Sequence, residues 1–103
     1  MSDIASVIAI GRGRGDRMLN YGDWAAFRSY LYDAVTAIAG GEVVYSGEGT
    51  GQYLGESEAS FVIIATGCDP ELLRTELVVL TTTYHQDSIA LIEGGTEFLE
   101  GTP

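Results

Sequence analysis

Two helical stripes, each bracketed by β-branched apolar runs, limit what this chain can become more than any other feature. Trp24, Phe27, Leu31, Val35 and Ile38 recur at spacings of three and four, as do Leu73, Leu77, Leu80 and Tyr84. That period puts each set on one face of an amphipathic helix. The first helix opens at Asn20 and Asp23, a capping pair, and stops at Gly40-Gly41. The second opens at Asp69-Pro70-Glu71, where Asp caps, Pro fits the first turn and Glu favours the positive end of the dipole. Runs rich in Val and Ile flank both: Ile4 to Ile10, Val43 to Tyr45, Ser60 to Ala65 and Ser88 to Ile92. The order strand-helix-strand-strand-helix-strand predicts an α+β domain, the ferredoxin-like βαββαβ plait, with two helices on one face of an antiparallel sheet. The two most continuous apolar runs, strands one and three, belong at its centre. Glu93-Gly94-Gly95 predicts a turn into a brief C-terminal hairpin strand, Thr96 to Leu99, with 100–103 as a flexible tail.

Length allows one domain: 103 residues leave no room for a second core. No apolar run approaches the roughly 18 residues of a membrane span. The start Met1-Ser2-Asp3 lacks the basic region of a signal peptide, and a single cysteine, Cys68, forms no internal disulfide. The expected compartment is the cytoplasm. Fifteen acids against five bases, all arginine, give a net charge of −10, which repels nucleic acid polymers and anionic membranes.

Against that background Arg12, Arg14 and Arg17 put three of the five cations within six residues, in Gly11-Arg12-Gly13-Arg14-Gly15-Asp16-Arg17. This is neither a phosphate-cradling P-loop, which needs Gly-Lys-Ser/Thr, nor a dinucleotide fingerprint, because Asp16 stands where the last glycine belongs. Its physics is still that of an anion site: glycines expose backbone N–H groups and guanidinium forks grip phosphate. The competing expectation is that the arginines pair with the chain's own surplus carboxylates.

In the plait one rim collects this segment, the stretch from Gly47 to Gly55 and His85-Gln86-Asp87. Four glycines in nine residues predict a loop or flexible hairpin tip at 47–55, offering Thr50 as a polar contact and Tyr53 as a stacking ring. His85 is the only histidine and the one candidate acid or base, though a lone histidine without a partner is more often structural. Gln86 is a candidate reader of a polar edge. Cys68 falls on the opposite rim and is expected to be a small buried residue. Glu48, Glu56, Glu58 and Asp87 lack metal-ligand spacing, so neither metal nor cofactor is expected.

Several local patterns carry a whole-chain resemblance: Trp24-x-x-Phe27, the glycine-rich tip, Glu58-Ala59-Ser60, and Tyr84-x-Gln86-Asp87-Ser88-Ile89. Over residues 4–93 the chain resembles small bacterial and actinobacteriophage proteins. By size, composition and cationic glycine rim it is similar to phage sponges, oligomers that sequester nucleotide messengers of host immunity. That resemblance implies a homo-oligomer holding a small phosphate-bearing ligand without turnover. The residues leave two other functions open: an acidic module that binds or inhibits a protein, and a small dimeric ferredoxin-like enzyme, an oxygenase or isomerase, using His85.

Overall fold

The computed structural model describes residues 4–53, 55–97, 99 and 101. Its elements are β1 (Ile4–Gly11), α1 (Tyr21–Ala37), β2 (Glu42–Tyr53), β3 (Glu56–Thr66), α2 (Pro70–Thr83) and β4 (Ala90–Gly95), with a short 3-10 turn at Gly15–Arg17. The strands form one antiparallel sheet in the order β2-β3-β1-β4, the ferredoxin-like arrangement with β1 and β3 at its centre. No helix among the described residues is long and apolar enough to cross a membrane.

Both helix starts follow from their caps. Asn20 Oδ1 accepts from the Asp23 N–H at 2.8 Å, and Asp69 Oδ1 accepts from Glu71 and Leu72 at 2.9 and 3.1 Å. The two stripes meet one sheet face: Trp24, Phe27, Leu31 and Val35 from α1, and Leu73, Leu77 and Leu80 from α2, pack with Ile8, Ile10, Ile63 and Ala65. Cys68 is buried in the same cluster, and burial pushes its thiol pKa up. It is a small core residue.

Two expectations need correction. The stretch Gly47–Tyr53 is strand, not loop: β2 stays paired with β3 from Glu48↔Phe61 through Gly51↔Glu58 to Tyr53↔Glu56, after a bulge at Val43/Tyr45. Glycine lowers strand propensity, yet the paired backbone of β3 supplies the hydrogen bonds, and pairing outweighs local preference. The Tyr45 hydroxyl also reaches over Gly47, lying 2.5 Å from where a Cβ there would stand. Likewise Glu93 to Gly95 are not a turn, for they extend β4 against Ser6, Ala5 and Ile4 of β1. Thr96 and Glu97 lie outside any strand, and Phe98 and most of the 100–103 tail fall outside the described residues.

Strand alternation and register assign the other sheet face to Ala5, Val7, Ala9, Ser60, Val62, Ile64, Ala90, Ile92, Tyr45 and Gly47, with Glu56 and Glu58 on it toward the rim and Glu42 at the opposite end of β2. The central residues are uncharged, and Ile92 and Tyr45 are 66% and 56% exposed. No helix among the described residues covers this face.

Candidate ligand-binding rim

The plait brings the end of β1, the β2–β3 ribbon and the entry to β4 to one rim. Beyond Gly11 the chain stays on β3 for one more bond, from the Arg12 N–H to the Ala59 carbonyl at 2.9 Å. The loop then closes on itself: the Leu19 N–H donates to the Arg12 carbonyl at 2.9 Å, and Arg12 Nε donates to the Leu19 carbonyl at 2.6 Å. The Arg12 guanidinium lies over the Tyr21 ring, 4.4 Å from its centroid. Arg12 is therefore a strut for the loop base. Gly13 stands at φ +90°, where a Cβ would come within 2.6 Å of the Arg17 carbonyl oxygen, so only glycine lets the loop turn so tightly.

Glu58 occupies the space this loop leaves. Its Oε2 accepts from the Gly13 N–H at 2.8 Å, and its carboxylate lies 2.7 Å from the position of a Cβ on Gly11. The glycine cradle thus already faces one of the protein's own anions. The cations beside it are paired as well: Arg14 with Glu56 and Arg17 with Asp87. Self-pairing, the competing expectation from the charge balance, holds for both arginines.

The third segment is shaped by the end of α2. The His85 N–H donates to the Thr82 carbonyl at 3.3 Å and the Gln86 N–H to the Thr81 carbonyl at 3.0 Å, a Schellman stop with His85 left-handed at φ 54°. Gln86 Nε2 donates to the Tyr84 carbonyl at 2.9 Å, anchoring the approach to β4. The Tyr84 ring stacks on Phe27 with centroids 4.6 Å apart. Burial first, then the Tyr30 and Asp23 charges, pushes its phenol pKa up, so Tyr84 stays protonated at neutral pH.

Two adjoining cavities result. A cleft of about 100 Å³ lies between the Gly11–Gly13 backbone and Gln86–Ser88, with Arg14, Arg17, Glu58 and Asp87 on its walls. A broader groove of about 730 Å³ runs between Asp16–Asn20 and the end of α2, lined by Thr81, Thr82, Tyr84 and His85. Arg17 and Gln86 border both. The small cleft has the size of a head group, and the groove has that of a larger ligand body. Of the residues expected to bind, Arg14, Arg17, Gln86 and His85 come together here. Arg12 and Thr50 line neither cavity. The stacking expected of the Tyr53 ring concerns a side chain outside the described residues. Sequence reasoning missed Glu58 and Ser88 as cleft residues. The available signal was register, since Glu58 lies two residues from Ser60, the partner of Gly11.

His85 holds a left-handed position that costs an L-residue about 1–2 kcal/mol, partly offset because glycine loses more entropy on folding. His85→Gly should therefore raise stability by roughly 0.5–1 kcal/mol, a few degrees in Tm. A thermal melt followed by circular dichroism checks this. A lower Tm would show that the imidazole makes a stabilising contact of its own.

No protein-family model matches the chain, and no curated protein matches it in sequence. The chain is similar to several solved structures. They include a phage SAM lyase in complex with S-methyl-5′-thioadenosine (17% identity, 89% of this chain, 80% of that one, TM-score 0.48). A dimeric ferredoxin-like protein of unknown function from Thermobifida fusca gives 14% identity over 90% of this chain and 91% of its own, TM-score 0.48. The divalent ion tolerance protein CutA1 from Ehrlichia chaffeensis gives 14% identity over 97% and 87%, TM-score 0.45. Likeness at this level assigns nothing to the rim.

Proposed function

We propose that the rim binds a small phosphate-bearing, nucleotide-like molecule and holds it without turnover. The observation that carries this is the convergence of two guanidiniums and a glycine-loop backbone on one cleft, with both cations held by exchangeable partners. Arg17 and Asp87 are 67% and 57% exposed as side chains, and Glu56 is 71% exposed. Exposed ion pairs are worth about 0–1 kcal/mol, whereas a well-formed charge-assisted hydrogen bond to phosphate is worth about 1.5–3 kcal/mol. A phosphate entering the cleft therefore displaces Asp87 and Glu56 at a net gain. The sugar then sits where Arg17 and Gln86 border both cavities, and the base lies in the adjoining groove beside Tyr84 and His85. Among the described residues the His85 ring has no hydrogen-bond partner, which favours binding over acid–base chemistry. Sequestration is the role such a binder serves, in keeping with the resemblance to phage sponges. In the experiment that tests this, the protein is incubated with nucleoside phosphates and then heat-denatured. Stoichiometric binding with the nucleotide recovered chemically unchanged is expected, and a cleaved or isomerised product overturns it.

The binder works as a homo-oligomer through the uncharged centre of its open sheet face. A chain of net charge −10 repels its own copy, and Val7, Val62, Ile64, Ile92 and Tyr45 form an uncharged patch where apolar surface is left unburied. A second copy supplies the matching uncharged patch by two-fold symmetry. Light scattering at micromolar concentration should give at least 22 kDa, twice the 11.0 kDa chain. A stable monomer contradicts the assembly.

A further inference from the structure

Building on the phosphate site above, we propose that Glu58 selects the ligand class: among phosphate-bearing molecules, those with free hydroxyls on the sugar that carries the phosphate, ribonucleotides rather than bare phosphate. Glu58 is a half-buried carboxylate on the cleft wall, in a chain whose other cleft charges are matched. Arg14, Arg17, Arg28 and Arg74 each hold a different carboxylate, and among the described residues no cation pairs with Glu58. Its Oε2 accepts the Gly13 N–H, while Oε1 accepts no hydrogen bond from the described residues. A carboxylate can accept about four hydrogen bonds, so the group has capacity to spare.

That spare capacity faces the same cleft as the two guanidiniums. A phosphate gripped there meets the Glu58 charge across a cavity of about 100 Å³, and a bare phosphate is penalised by the repulsion. A ligand that presents hydroxyl donors beside its phosphate turns the same carboxylate into an acceptor. A ribose diol is the donor pair best matched to it, since two vicinal O–H groups satisfy one carboxylate. Glu58 itself is held in place: Gly11 leaves room for it, and the Gly13 N–H fixes one of its oxygens. The residue rejects and recognises by the same charge.

Titration calorimetry of the whole protein tests this with adenosine 5′-monophosphate, its 2′,3′-dideoxy analogue and inorganic phosphate. The two nucleotides share base and phosphate, so only the hydroxyls differ. The wild type should bind the ribonucleotide roughly ten- to hundredfold more tightly than the dideoxy analogue. In Glu58→Gln the side-chain carbonyl still accepts from Gly13 and keeps the loop. There the preference should collapse, and inorganic phosphate should bind more tightly than to the wild type. Glu58→Ala, read alongside, should behave the same way if its circular dichroism matches the wild type. Equal wild-type affinity for the two nucleotides, or a preference kept in Glu58→Gln, overturns the role of Glu58 while leaving the phosphate site standing. Failure of all three probes to bind the wild type overturns both.

Discussion

Phe27→Ala should cost about 3–5 kcal/mol, the range for removing a fully buried aromatic side chain. Phe27 is 0% exposed, meets Trp24 edge-on with centroids 6.1 Å apart, and stacks on Tyr84 at 4.6 Å and 19°. It joins α1 to the end of α2, so its loss leaves a cavity and frees the ring that lines the groove. For a domain stable by about 5–15 kcal/mol that is a large share of the total, and Tm should fall by more than about 10 °C. Phe27→Leu, which retains volume, should cost clearly less. Urea unfolding followed by far- and near-ultraviolet circular dichroism measures both. A loss below about 1 kcal/mol for Phe27→Ala would mean that α1 and α2 do not pack as described.

Much of this architecture was legible because local and global signals agree. The α1 stripe from Trp24 to Val35 and the caps Asn20 and Asp69 appear in the structure where period and capping chemistry place them. The two most apolar runs took the sheet centre, where each is paired along both edges. The ribbon was not legible. Gly47, Gly49 and Gly51 read as loop by propensity, and only the pairing with β3 holds them extended. Nor could composition say which carboxylates hold the arginines. Glu56 is 42 residues from Arg14 and Asp87 is 70 from Arg17, so the choice belongs to topology. Arg12 looked like its two neighbours in sequence, yet its backbone contacts to Leu19 turn it into a strut. His85 drew attention as a titratable group, whereas its left-handed φ shows a helix stop. Nothing local in the sequence marks Glu58 as the carboxylate that lies over a glycine loop 45 residues away.

The cleft's central claim rests on Arg14 and Arg17, and their joint removal tests it most directly. Arg17 gives up an exposed ion pair and Arg14 a half-buried one to an exposed carboxylate, so Arg14→Ala/Arg17→Ala should melt within several degrees of the wild type without ligand. Its affinity for adenosine 5′-monophosphate should fall by at least about a hundredfold, because two charge-assisted anchors worth about 1.5–3 kcal/mol each are lost. Thermal melts with and without the nucleotide read both quantities in one experiment. The account predicts a ligand-dependent rise in Tm for the wild type and none for the double variant. It is contradicted if the double variant melts many degrees lower while no phosphate compound shifts the wild type. The two arginines would then be struts of an acidic surface, like Arg12, and the rim would hold no ligand of this kind.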